Sequence, residues 1–280
     1  MRHTAHVQID VLQSLPRPLA YILPGGGALA AYQVGVLDAL TAAGLEPDRL
    51  IGVSAGALNA ALFAWSSDTD GVRRLERLWV NVKRRDLLRV HPGRLALALA
   101  GKRASFLDKR HGIAFLRKHL GARLIEHAPI PLCIVATDLA TGRPFILESG
   151  DVVSAIVASS AFPGVFPPVE FNGHTLIDGG VVADVPLDVA SELGVASVIV
   201  ITVPPLAPAP APQHPVAVVL RSSTWGVEAH GRTIVARPPD GLRVVEIPTL
   251  PSSVTTFDVG SAAATIEGAR AFTEAWLRSE

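Results

Sequence analysis

The stretch LAYILPGGGALAAYQVGVLDALTAAG, residues 19–44, joins a short apolar run to a helical pattern across three consecutive glycines. Residues 19–23 end at Pro24 and Gly25-Gly26-Gly27, which reads as a buried strand stopped by a sharp loop. From 28 to 43 the apolar positions recur at helical spacing, and Gly44 supplies a C-terminal stop. Strand, glycine loop and helix in that order open an α/β fold. The unit repeats at once, with an apolar strand at 49–53, Ser54 at the junction and an alanine-rich helix at 55–65.

Further strands are predicted near 132–137, 145–147, 175–177, 197–203 and 244–247, and helices near 72–82, 152–159, 187–193, 216–230 and 261–277. Such alternation predicts a three-layer α/β/α fold with a mostly parallel central sheet. Residues 1–17 read as an N-terminal tail and 18–280 as one domain. Two stretches break the rhythm. Residues 86–127 form a basic insertion or cap containing LALALA at 95–100, and PPLAPAPAPQHP at 204–215 is a proline-rich surface loop that cannot enter a sheet interior.

With 280 residues, 49% of them hydrophobic and 18% charged, the chain is long and apolar enough for one substantial core, which excludes a disordered chain or a coiled coil. The lone Cys133 cannot form an intramolecular disulfide, and no secretory signal or membrane-spanning stretch is evident, so a cytoplasmic protein, at most peripheral on a membrane, is expected. The 25 basic and 25 acidic residues cancel overall but not locally. Residues 71–125 hold fifteen lysines and arginines against three acids, leaving ten against twenty-two elsewhere. We read this segment as a face for an anionic membrane, with a solvated helix surface as the bland alternative. No nucleic-acid recognition motif accompanies it, so no nucleic-acid partner is expected.

Gly52-Val53-Ser54-Ala55-Gly56 fits the nucleophile elbow G-x-S-x-G between a strand and a helix. The helix behind it aims N–H groups and the positive end of its dipole at an oxyanion formed on the serine, although a serine that merely caps a helix fits the same letters. The amides of Gly25, Gly26 and Gly27, with that of Ala55, suit an oxyanion hole. Gly25, Gly27 and Ala30 also satisfy G-x-G-x-x-A, but the acid a dinucleotide site needs at the end of the second strand is replaced by the elbow itself. Asp178, followed by Gly179 and Gly180, ends the strand at 175–177 and is the candidate base; alone, D-G-G is most often a turn. A histidine triad would require His214 or His230, and no metal or cofactor is called for.

Together these motifs, with Thr137-Asp138-Leu139-Ala140-Thr141-Gly142 and ASSAFPGVFPP at 158–168, make a sequence that resembles the patatin-like phospholipases. The resemblance implies a patatin-like catalytic domain and a Ser54/Asp178 dyad, without histidine, that cleaves fatty-acyl esters of lipids. One departure is clear: the family loop usually reads G-G-G-x-Arg/Lys-G, and here Leu29 and Ala30 hold the last two places. Backbone donors survive that change, so the hole is expected to persist with a less anionic substrate or lower activity. The alternative is a catalytically weak lipid-binding relative acting at membrane surfaces.

Overall fold

Strand β1 (Leu19–Leu23) is buried along its whole length. Successive side chains of a strand point to opposite faces, and here both faces are apolar: Leu19, Tyr21 and Leu23 enter one hydrophobic cluster, Ala20 and Ile22 another. A strand covered on both sides has no solvent face, which is why its sequence is a continuous apolar run.

The computed structural model describes residues 7–83, 105, 107–205, 208, 210–252, 254–256 and 258–279. Helix α1 (Val7–Gln13) precedes β1, and a 3-10 turn (Gly27–Ala30) leads into α2 (Ala31–Ala42), β2 (Arg49–Val53), α3 (Ala55–Ala64) and α4 (Thr69–Asn81). Next come α5 (Arg110–Leu120), β3 (Leu132–Asp138), β4 (Arg143–Leu147), α6 (Val152–Ser159), β5 (Val169–Phe171) and β6 (His174–Asp178). The chain ends with α7 (Gly180–Ala183), α8 (Leu187–Glu192), β7 (Ser197–Val200), α9 (Pro215–Ala236), β8 (Arg243–Glu246) and α10 (Ala262–Leu277). Among the described residues no helix is long and apolar enough to cross a membrane.

The eight strands form one sheet in the order β5-β6-β3-β2-β1-β7-β8, with β4 also on β3. The run β3-β2-β1-β7-β8 is parallel, and β4, β5 and β6 join antiparallel. Helices α1 to α6 and α10 cover one face, and α7, α8 and the end of α9 the other, giving the three-layer α/β/α arrangement. The short β5 escaped the sequence reading, yet Asn172 and Gly173, at φ 48° and 84°, close its hairpin with β6 as an Asn-Gly pair does.

Register on β3 positions the site. One edge of β3 is taken by β4 along residues 134–138, so β2 and β6 share the other. There, β2 pairs with Leu132 to Val135 and β6 with Ala136 to Asp138. Val53 lies opposite Val135 and Asp178 opposite Ala136, so the two strands meet end to end in a single lane. The residue after Val53 therefore turns out of the sheet beside Asp178.

Two expected boundaries differ from the structure. The N-terminal tail contains α1, whose Leu12 is buried in the larger cluster with Ile9 packed against it, and Leu15 just beyond the helix is buried there too, an i, i+3 spacing of apolar residues that needs a core to cover it. Within the basic segment, α5 is part of the main body: Leu116 and Leu120 are buried, and Arg117 holds the Asp151 carboxylate with both terminal nitrogens, at 2.5 and 2.7 Å. Asp151 also caps α6 by accepting the Ser154 N–H at 2.8 Å. The LALALA run at 95–100 lies outside the described residues.

Candidate active site

Ser54 sits at the turn from β2 into α3 with φ 53° and ψ −124°, a left-handed backbone that is strained for any residue but glycine. The turn is tight because the first helical turn passes under the end of β1: a Cβ on Gly56 would stand 2.0 Å from the Leu23 carbonyl oxygen and 2.3 Å from that of Pro24. Gly52 occupies the strand itself, opposite Leu23 and Ile134. Ser159 braces the turn, accepting the Ser54 N–H at 2.8 Å and donating its hydroxyl to the Val135 carbonyl at 2.6 Å.

The lane geometry brings Ser54 and Asp178 together. Ser54 Oγ donates to Asp178 Oδ2 at 2.6 Å, and Asp178 Oδ1 accepts the Gly180 N–H at 2.9 Å. Thr137 Oγ1 fixes the backbone below by donating to the Asp178 carbonyl at 2.9 Å, and the Gly179 N–H donates to the Ser159 carbonyl at 3.2 Å. Asp178 is 4% exposed. Burial pushes its carboxyl up to about 7; the Ser54 and Gly180 hydrogen bonds oppose that rise and the nearby Asp184 charge adds to it. Neither His214 nor His230 hydrogen-bonds to the pair among the described residues; His230 stands instead near Asp184, whose charge it favours.

The glycine loop curves over the serine. A Cβ on Gly25 would lie 3.1 Å from Ser54 Cβ, and Gly26 and Gly27 take φ values of 148° and 58° that L side chains rarely adopt. Gly25 was expected among the oxyanion donors, but its N–H is engaged by Asp184 Oδ1 at 2.9 Å. Ala28 N–H is likewise taken, by the Thr256 carbonyl at 2.8 Å. The expected set narrows to Gly26, Gly27 and Ala55, whose amides have no partner among the described residues. Leu29 is 2% exposed, so the place of the family's cation is a core position here.

Beneath the loop runs a buried polar network that the sequence reading missed. Gln33 Nε2 donates to the Pro24 carbonyl at 2.9 Å and to that of Ile201 at 3.1 Å. Asn59 Nδ2 donates to the Ala30 carbonyl and to Gln33 Oε1, both at 2.9 Å, and Asn59 Oδ1 accepts from Trp79 Nε1 at 2.8 Å. Gln33 and Asn59 are both 0% exposed and are the polar members of the otherwise apolar or aromatic buried faces of α2 and α3, and a polar residue within such a face was the available signal. A hydroxyl bonded to a carboxyl raised to about 7, beside amides that have no partner among the described residues and a helix N-terminus, is equipped for nucleophilic attack on a carbonyl.

A family profile described as patatin-like phospholipase matches residues 21–191. An uncharacterized NTE family protein of Mycobacterium tuberculosis is 32% identical over 173 residues, covering 62% of this chain and 28% of the relative. The neuropathy target esterase sws of Drosophila melanogaster is 30% identical over 187 residues, covering 66% of this chain and 13% of that protein. Among solved structures, VipD from Legionella pneumophila matches with a TM-score of 0.45 and 14% identity over 94% of this chain and 67% of its own. The chain therefore spans less than a third of the length of these two sequence relatives.

Proposed function

The chain belongs to the patatin-like phospholipase family, and from that premise we propose that it is a serine acyl hydrolase of phospholipase A or esterase type, acting on fatty-acyl esters of lipids through Ser54 and Asp178. The observation that carries this reading is the 2.6 Å hydrogen bond from Ser54 Oγ to Asp178 Oδ2 at a strained strand-to-helix turn. Asp178 takes the Ser54 proton as Oγ bonds to the ester carbonyl carbon, and the resulting oxyanion is held by the amides of Gly26, Gly27 and Ala55. Collapse breaks the ester C–O bond, the leaving alcohol takes the proton from Asp178, and the acyl group stays on Ser54. Water then attacks the acyl-enzyme, giving its proton to Asp178, and the fatty acid leaves as Ser54 recovers that proton. An Asp178 carboxyl near neutrality supports the role, because a base titrating near the working pH both exists ionised and accepts a proton readily. We further infer that the ester is met at an anionic lipid surface, on the strength of the basic segment 71–125.

The test is hydrolysis of 4-nitrophenyl acyl esters and of phospholipid by wild type, Ser54→Ala and Asp178→Asn. Both variants are expected to lose kcat by about a thousandfold or more while keeping their fold by circular dichroism. Turnover that survives in either variant sinks the dyad. A wild type that binds lipid but hydrolyses no chain length favours the lipid-binding alternative.

A further inference from the structure

The two halves of the Pro24–Gly25 peptide are held by different side chains. In a planar trans peptide the C=O and N–H point in opposite directions, so two partners on opposite sides fix the plane. Here Gln33 Nε2 donates to the Pro24 carbonyl and Asp184 Oδ1 accepts the Gly25 N–H, each at 2.9 Å. At the far end of the loop the Ala28 N–H is tied to Thr256. Between these anchors the Gly26 and Gly27 amides have no partner among the described residues, and Gly25 itself stands against Ser54.

Asp184 also stands beside the base. A Cβ at Gly180 would lie 3.2 Å from both Asp178 Oδ1 and Asp184 Oδ1, so the two oxygens are separated by no more than twice that distance. The short helix α7 carries the chain from one carboxylate to the other. His230 of α9 lies close enough to favour the charged form of Asp184, against the burial that raises the Asp184 carboxyl to about 6. On the elements packed against α7, Glu228 of α9 pairs with Arg232, and Asp138 at the end of β3 pairs with His174.

We propose that Asp184 is a positioning residue: with Gln33 it clamps the peptide that opens the oxyanion loop, and its charge beside Asp178 adds to the effect of burial in making Asp178 a readier acceptor of the Ser54 proton. The proposal rests on the dyad reading above and assigns a regulator to it. Two neighbouring carboxylates resist ionising together, so removing the second charge makes the first a weaker base that ionises at lower pH. Asp184 is thus tied to both halves of the chemistry, the loop through its hydrogen bond and the base through its field.

Asparagine at 184 keeps an oxygen for the Gly25 N–H and removes the charge; alanine removes both. With a soluble 4-nitrophenyl ester, Asp184→Asn is expected to keep its plateau kcat within about threefold of wild type and to shift the acid limb of kcat/KM to lower pH by roughly half a unit or more. Asp184→Ala is expected to lose kcat about a hundredfold with KM little changed, since a small misplacement of the loop acts on the transition state. An Ala variant that folds and turns over like wild type overturns the clamp, and an unmoved acid limb in the Asn variant overturns the electrostatic part. Amide exchange at Gly25, followed by NMR, reads the clamp without turnover: it is expected to quicken in Asp184→Ala and stay slow in Asp184→Asn. Unchanged exchange in the Ala variant overturns the clamp whether or not the protein is an esterase. Ser54→Ala run alongside separates the readings, because activity that survives it refutes the dyad and leaves the exchange result standing.

Discussion

At Asp178 the fold holds a carboxyl at 4% exposure and raises it from 3.8 to about 7, with burial as the largest cause. In the unfolded chain the group ionises near 3.8. Between that pH and about 7 the native protein keeps a proton the unfolded chain has lost, so native stability falls as pH rises across the window and the contribution is gone above it. A shift of this size corresponds to roughly 4 kcal/mol, partly offset in any neutral replacement by poorer hydrogen bonds to Ser54 and Gly180. Asp178→Asn is therefore expected to melt a few degrees above wild type at about pH 8.5 and to gain nothing at about pH 3.5. Thermal unfolding followed by circular dichroism checks this, and a gain of equal size at both pH values contradicts the assignment of the cost to an ionised Asp178.

Helix α10 packs against α2 at Gly35, where a Cβ would meet the Ile266 carbonyl oxygen at 2.2 Å and the Arg270 nitrogen at 2.7 Å. Alanine is the better helix former by about 1 kcal/mol, but at this contact the backbone cannot yield without separating the helices. Gly35→Ala is expected to cost roughly 2–3 kcal/mol in urea unfolding, whereas Gly268→Ala on α10, with nothing within 4 Å of its Cβ position, is expected to gain about 0.5–1 kcal/mol. Equal effects at the two positions rule out the helix contact as the cause. Both helices were legible as helices, since spacing of apolar residues is a local property. Their contact through a glycine was not, because it joins segments more than two hundred residues apart. The same division runs through the candidate site. Ser54 was legible because strand, turn and helix follow one another within sixteen residues, and Asp178 because a strand visibly ends there. What brings them together, β3 pairing with β2 and then β6 along one edge, is a matter of register between distant strands. Asp184 carries no local signal separating it from a surface acid; its role follows from its hydrogen bond to a glycine 159 residues away. The helix read over 28–43 begins instead as a 3-10 turn at Gly27, where positive φ values and the Ala28 bond to Thr256 set the chain's direction.

Across the whole molecule, charge is segregated: residues 71–125 carry fifteen lysines and arginines against three acids, and the rest carries the compensating excess of acids. Part of that positive charge is held by structure. Arg117 is committed to Asp151, and the Arg123 guanidinium lies 5.1 Å from the centre of the Trp65 ring. Arg77 of α4 and Lys118 of α5 are exposed to solvent, as are Arg73, Arg74 and Arg110, which meet Asp70, Ser66 and Asp108 at the surface. Each cation near an anionic leaflet contributes about 1 kcal/mol, and the attraction decays over a Debye length of about 10 Å at 0.1 M salt. If the lipid surface is met through this segment, binding depends on the sign of the leaflet and on ionic strength. If it is met through apolar contact alone, salt leaves binding unchanged or strengthens it. Sedimentation with phosphatidylserine-containing vesicles is therefore expected to show binding at about 0.05 M salt that is largely lost at about 0.5 M, with little binding to neutral phosphatidylcholine. The variant Arg73→Glu/Arg74→Glu/Arg77→Glu is expected to lower vesicle binding while leaving hydrolysis of a soluble ester unchanged, because these side chains are exposed on α4 and, among the described residues, those of Arg73 and Arg74 meet Asp70 and Ser66 rather than Ser54 or the loop. Equal binding to both lipids, or none to either, removes the basic segment as the membrane face.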